Sequence, residues 1–159
     1  MDFIRTFYGW LIRIGSQLSD YVLLAIRLLW GVSLYQTGYG KLTHIDGVAQ
    51  FFSSLGIPFP EFHAYLVGGV EFLAGICFIL GLATRLISIP LIISMIVALL
   101  TTSFAAVKGI FDDPSNFIKQ DPVSYLLVAL ILFCFGPGKI SLDYLLKKFV
   151  FRRPHTELT

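Results

Sequence analysis

AYLVGGVEFLAGICFILGLATRLISIPLIISMIVALLTTSFAAV, residues 64–107, carries only two charged side chains, Glu71 and Arg85. Two apolar runs flank the Gly81–Arg85 segment, each close to the about 20 residues a helix needs to cross hydrocarbon. They read as spanning helices at about 64–82 and 86–107. The segment between them is a tight turn, so the two helices are antiparallel neighbours. Upstream, residues 21–40 form another such run, with Ser19 or Asp20 as its expected cap. Downstream, residues 122–135 form a fourth, short for a full span. It ends firmly at Gly136-Pro137-Gly138. An earlier start at Asp113-Pro114 would leave Pro122 inside the helix and kink it.

The whole composition agrees. The chain has 159 residues, 56% hydrophobic and 14% charged, with a mean hydropathy of +0.79. A soluble domain is roughly 25% charged, so a soluble fold of this length would lack polar surface. The length suits one bundle without a separate soluble domain. A net charge of +2 gives no reason to expect nucleic acid.

The segments outside the spans are not plain loops. Residues 1–18 mix Phe3, Ile4, Phe7, Trp10, Leu11 and Ile14 with Arg5 and Arg13, and no small-residue cleavage site follows. This reads as an amphipathic segment on the membrane surface. Residues 139–159 read likewise: Leu142, Leu145, Leu146 and Phe149 make an apolar stripe. Lys147, Lys148, Arg152 and Arg153 suit anionic lipid. Between the first two spans, Val48, Phe51, Phe52 and Leu55 have helical spacing, Gly56 ends the helix, and Pro58 and Pro60 stiffen the exit. A short lid over the outer mouth is expected. No internal repeat is evident.

The expected fold is therefore all-α: an integral membrane four-helix bundle over residues 19–136, with interfacial helices at both termini and a helical outer lid. Lysine and arginine bias sets the orientation. With both termini inside, the inner face holds Arg5, Arg13, Arg85, Lys139, Lys147, Lys148, Arg152 and Arg153, against Lys41, Lys108 and Lys119 outside. The chain is expected to be multi-pass, N-in and C-in.

The order of segments resembles the DoxX family of small four-helix membrane proteins. The resemblance covers residues 20–148. It rests on Arg27 early in the first span, Gly38-Tyr39-Gly40-Lys41 at its outer end, FFSSLGIPFP at 51–60, GGVEFLAGICFILGLATR at 68–85 and FGPGKISLDYLL at 135–146. It implies a bacterial inner-membrane bundle associated with quinone or thiol redox chemistry. Members look like the membrane subunit of a thiosulfate:quinone oxidoreductase. Others are tied to catechol and quinone resistance, and distant relatives act as cargo receptors.

Charge within hydrocarbon costs about 2.5–3.5 kcal/mol per residue on insertion scales, which singles out Arg27, Lys41 and Glu71. Arg27 and Lys41 are separated by about 21 Å of helix rise and cannot share one compact site. Glu71 lies about 10 Å deep from the outer end of its helix, and Gln36 falls near that depth. Glu71 is expected to meet Lys41 or Gln36, with Tyr35 or Tyr39 nearby. A carboxylate in low dielectric handles protons beside a ligand pocket; an ion pair that fixes helix register is the alternative. Gly38, Gly40, Gly68, Gly69 and Gly75 give room for close helix approach or for a flat ring. Phe52, with Phe51, Phe59 and Phe62, either stacks on a ligand or packs against lipid. Arg27 either snorkels toward Asp20 or lipid phosphate or binds an anionic group.

Other constellations carry less. His44 and His63 flank the lid, but their spacing matches no metal motif, so no metal site is expected. Cys77 and Cys134 lie in apolar segments and read as buried thiols, with a redox pair the alternative. No nucleotide, iron–sulfur or haem motif is visible. The resemblance makes a quinone the one cofactor to consider, with Glu71 and Lys41 as the proton or ligand site. Arg27, Tyr35, Gln36, Gly38, Tyr39 and Phe52 are the candidate ligand contacts. Catalysis would then need a soluble or membrane redox partner protein to supply electrons. A non-enzymatic scaffold or assembly factor is one alternative. A small proton-coupled transporter, working as a homo-oligomer, is another.

Overall fold

The structure is a computed structural model that describes residues 2–149, with side chains from residue 6. Among these the chain forms eight helices and no strand. They are α1 (Asp2–Thr43), α2 (Ile45–Ser54), α3 (Pro60–Leu80), α4 (Thr84–Thr102), α5 (Phe104–Lys108), α6 (Pro114–Ile118), α7 (Asp121–Phe135) and α8 (Leu142–Phe149). Three of them, α1, α3 and α4, are long and apolar enough to cross a membrane, and α7 is a shorter apolar helix. The end of the bundle that carries α2 is termed the lid end, and the end that carries α8 the tail end.

The bundle is built from two antiparallel pairs, α1–α3 and α4–α7, joined by α3 against α4. The core between them is Leu34, Ala74, Phe78, Leu91, Met95, Val128, Ala129 and Leu132. The apolar side chains left outside that core, such as Leu29, Leu73, Ile93 and Leu127, form the lipid-facing belt that water would not tolerate as a contiguous surface.

The α1–α3 seam is the closest contact, and its logic is alternation. Gly31 faces Ile79, Tyr35 faces Gly75, Gly38 faces Phe72 and Leu42 faces Gly68. Each layer pairs one glycine with one large residue, so the backbones approach closely, as small-residue membrane interfaces do. The layers recur at steps of four, three and four residues on both helices, a seven-residue repeat of the kind that keeps two helices in register. The same string, Gly-x3-aromatic-x2-Gly-x3-aliphatic, occurs at 31–42 and at 68–79. Against the expectation of no internal repeat, this one shows when the antiparallel register is known. Of the other glycines singled out, Gly40 and Gly69 face open space.

Several boundaries differ from expectation. No helix begins at Ser19 or Asp20. Instead α1 runs unbroken for 42 residues, about 63 Å, roughly twice the hydrocarbon thickness. No proline interrupts it. The hydroxyls of Ser16 and Ser19 donate to the Arg13 and Ser16 carbonyls rather than capping a new start. Residues 6–19 are exposed apart from Ile14, which is half-buried. The side chains of Phe3, Ile4 and Arg5, and Arg152, Arg153 and His155, lie outside the described residues.

The third span stops at Thr102, not Val107. Thr101 and Thr102 donate back to the Val97 and Ala98 carbonyls. The Ser103 hydroxyl donates to Gln120 Oε1 at 2.8 Å, and the chain turns there before α5. The second span begins at Pro60, earlier than residue 64, with proline in its first turn. Asp113-Pro114 does open a helix, but only the short α6, with the Asp113 carboxylate accepting from Asn116 N–H. The Ser115 hydroxyl and that N–H hold the Asp113 carboxyl below its ordinary range. Pro122 sits in the first turn of α7, where its missing N–H costs nothing, so it does not kink the helix. At 15 residues α7 is about 22 Å long, and α5 and α6 precede it at the lid end.

Candidate functional site

Lys41 and Glu71 meet across the lid-end half of the α1–α3 seam. Lys41 Nζ donates to both Glu71 carboxylate oxygens at 2.5 Å. The glutamate side chain is 5% exposed and the lysine 32%. The seam explains the meeting: Gly38 and Gly68 let α1 and α3 close, and the Lys41 stem lies against Gly68. Glu71 therefore takes Lys41 and not Gln36, which is exposed on α1. The buried carboxylate is charge-compensated, as it must be in low dielectric. The ammonium reaches the surface and keeps one N–H free of the carboxylate.

The α1–α3 contact also carries an aromatic ledge. The Tyr35 and Phe72 rings are 5.0 Å apart, Tyr35 and Tyr39 stack at 6.3 Å, and Tyr39 and Phe72 lie at 6.5 Å. Tyr35 and Tyr39 are exposed at the bundle surface. Five of the predicted residues thus lie along the α1–α3 contact: Lys41 and Glu71 as an ion pair, Gly38 at the close approach, and Tyr35 and Tyr39 in the ledge. Phe72 was missed, although it follows Glu71 directly and repeats the position of Tyr35 in the seam motif. Phe52 is half-buried on α2, its ring 6.1 Å from Phe51.

Arg27 is elsewhere. It is 1% exposed at the tail end. Its Nε donates to the Phe78 carbonyl at 3.0 Å. Its Nη1 donates to the carbonyls of Pro137 and Ile140. It does not snorkel to Asp20, which instead accepts from Lys139 N–H at 3.0 Å and pairs with its ammonium at 3.3 Å. The Phe78 carbonyl also accepts from Gly81 N–H at 3.2 Å, and the guanidinium fork serves it together with the carbonyls of Pro137 and Ile140 rather than lipid phosphate. Asp143, also missed, supplies a facing negative charge. Its carboxylate accepts from Ala83 and Thr84 N–H, and its own N–H donates to the Gly81 carbonyl. This clamp holds Ala83 at φ +48°, a left-handed conformation that costs a non-glycine residue about 1–2 kcal/mol. At Gly81, φ +67°, an added Cβ would meet the Arg27 guanidinium at 2.8 Å. The only forewarning in the sequence was the compact SLD run after Gly138.

The remaining candidates stay apart from the pair. His44 Nδ1 lies 3.1 Å from the Gly40 carbonyl, and His63 Nδ1 lies 3.1 Å from that of Phe59. Cys77 is a half-buried free thiol and Cys134 an exposed one. An open cleft of about 380 Å³ between α2 and α3 is lined by Asp46, Gln50, Ser53 and Glu61.

Residues 22–104 match the family model named DoxX. The chain is 35% identical to the "Uncharacterized membrane protein Rv3486" of Mycobacterium tuberculosis, over 79% of this chain and 81% of that protein. It is 30% identical to the "Inner membrane protein YqjF" of Escherichia coli, over 84% of this chain and 98% of that protein. With the "Putative oxidoreductase CatD" of Bacillus subtilis it shares 31% identity, over 52% of this chain and 60% of that protein. No solved structure matches.

Proposed function

The chain belongs to the DoxX family of membrane proteins, and from that premise we propose that it is a quinone-associated subunit of a membrane redox complex. One observation carries the reading: a nearly buried carboxylate, held by a lysine that reaches the surface, on a helix pair that also carries three clustered aromatic rings. The oxidoreductase in the name of the Bacillus subtilis relative adds support.

The residues present fit a quinone ring. Tyr35, Tyr39 and Phe72 offer π-faces for a flat ring, and Lys41 keeps an N–H for a ring carbonyl. A bound quinone supplies a carrier of two electrons and two protons. Glu71 holds or takes the proton at its carboxylate oxygens. Lys41 stabilises negative charge that develops on an oxygen next to it. Gly38 lets Glu71 stand at the seam without opening the helices. This step does not use Arg27, whose donors hold carbonyls at the tail end of the bundle. Electrons arrive from a partner protein.

The test is mass spectrometry of the organic extract from protein purified in mild detergent. Wild type should carry quinone near one per chain, and Glu71→Gln about tenfold less while still eluting as a folded species. A variant that keeps its quinone but loses thermal stability would make the pair a lock on helix register. Wild type with phospholipid alone would favour a scaffold that presents its lid or tail end to a partner.

The same reading sets the tail end, with Arg13, Arg85, Lys139, Lys147 and Lys148, at the cytoplasmic face. A cysteine placed at Lys148 should react with an impermeant maleimide only after the membrane is opened, and one at Phe111, 94% exposed, in intact cells. The opposite pattern would invert the topology.

A further inference from the structure

The side of α1 turned away from the aromatic ledge borders an open groove. α1 and α7 touch only sparsely. Between them lies a groove of about 410 Å³, lined by Leu29, Trp30, Ser33, Asp121, Ser124 and Tyr125. Ser33 Oγ and Tyr125 Oη are hydrogen-bonded at 2.6 Å and join the two helices. Ser33 lies ten residues before the end of α1, about 15 Å down from the lid end. Asp121 is one turn above Tyr125, so it sits about 9 Å below that end.

The Asp121 carboxylate opens α7 above the groove. It is exposed, and among the described residues no donor or cation bonds it. Lys108 lies over the Phe104 ring instead, at 4.6 Å. Asp121 stands where α4 ends and α7 begins, beside the Ser103–Gln120 bond, the level at which lipid headgroups meet a span. The polar set around it is rich in acceptors: a carboxylate that only accepts, and the Ser33 and Tyr125 hydroxyls, whose shared bond leaves oxygen lone pairs open. Trp30 and Tyr125 add aromatic walls, which attract cations. The groove contains no cation of its own. What it lacks is a compact positive group with several N–H donors, arriving sideways from the bilayer.

We infer that the α1–α7 groove binds the primary ammonium headgroup of an amphiphile, with Asp121 as its counter-charge and Tyr125 and Ser33 as acceptors. A primary ammonium brings three N–H donors to this set. A quaternary ammonium has the charge but no donor, so the site distinguishes the two. The amphiphile is either an aminophospholipid or a free alkylamine. The inference uses none of the residues of the quinone reading, and either stands if the other fails.

Native mass spectrometry of protein released from nanodiscs tests it. From phosphatidylethanolamine–phosphatidylglycerol discs, about one phosphatidylethanolamine per chain should be retained. From phosphatidylcholine–phosphatidylglycerol discs, no phosphatidylcholine should remain. Asp121→Asn should reduce retention at least tenfold, and Tyr125→Phe about threefold. Dodecylamine that binds with the same dependence on Asp121, while phosphatidylethanolamine does not, would make the free amine the source. Equal retention of the two zwitterionic lipids, or Asp121→Asn binding like wild type, overturns the inference. If Asp121→Asn is not recovered folded, unchanged retention in Tyr125→Phe overturns it equally.

Discussion

Alanine at Gly38 or at Gly75 is expected to break the bundle. A Cβ on Gly38 would stand 2.7 Å from the Phe72 Cα, and one on Gly75 2.7 Å from the Tyr35 Cα. These neighbours are backbone atoms of the facing helix, so no rotamer change relieves the clash, and the whole α1–α3 seam must widen. Overpacking a core costs about 1–3 kcal/mol where side chains can shift. Here the expected loss is at the top of that range or above it, about 3 kcal/mol or more. The controls are built into the same helices. Gly40 and Gly69 face open space, so alanine there should be neutral or should stabilise by up to about 1 kcal/mol through helix propensity. Unfolding in mixed detergent micelles, titrated with a denaturing detergent, measures all four. If Gly38→Ala and Gly40→Ala unfold together, the seam is not the closest contact of the fold. Because Lys41 and Glu71 meet across this seam, Gly38→Ala should also part them and reproduce the quinone loss of Glu71→Gln.

Replacing Arg27 by methionine is the second large expected effect, on the order of 3–5 kcal/mol. Hydrogen bonds to a charged group contribute about 1.5–3 kcal/mol each, and a buried acceptor left unpaired costs about 1–3 kcal/mol. Arg27 serves three carbonyls, of Phe78, Pro137 and Ile140. Methionine keeps the stem but removes the donor to the Pro137 and Ile140 carbonyls, leaves that of Phe78 with only the Gly81 N–H, and takes the counter-charge from the facing Asp143. The loss should be local first. The 136–149 segment, tied to the bundle through Arg27, Asp143 and the Asp20–Lys139 pair, should detach and become sensitive to protease before the spans unfold. Arg27→Lys should restore only part of the stability, because one ammonium cannot reproduce a planar fork that reaches separate carbonyls. A lysine variant as stable and as protease-resistant as wild type would mean that charge, and not geometry, is what the site needs.

The two predictions also mark how far the sequence could be read. Glu71 had two expected partners, and the choice of Lys41 over Gln36 came from helix rotation: Gln36 turns outward while Lys41 follows the seam. The aromatic ledge was half legible. Tyr35 and Tyr39 were named from depth on one helix, but Phe72 comes from the facing helix, and only the register brings it there. Arg27 was legible as a costly charge but not in its role. Its partners are carbonyls, which every residue has and no sequence pattern announces. The break expected at Ser19 or Asp20 had the opposite flaw. Polar residues suggested a boundary, but serine hydroxyls bonded three residues back, and Asp20 paired with Lys139, let the helix run through.

Composition and the length of apolar runs determined the solvent of this chain and its division into helices, because lipid forces every backbone group to bond within its own segment. That demand is local, so it is written in consecutive residues. Which helices pair, and which face of each is turned inward, was decided by the tertiary structure. Glycine, tyrosine and phenylalanine at the seam differ little in what they ask of their own helix. They differ in how closely a second backbone can approach, and that property exists only when both helices are present.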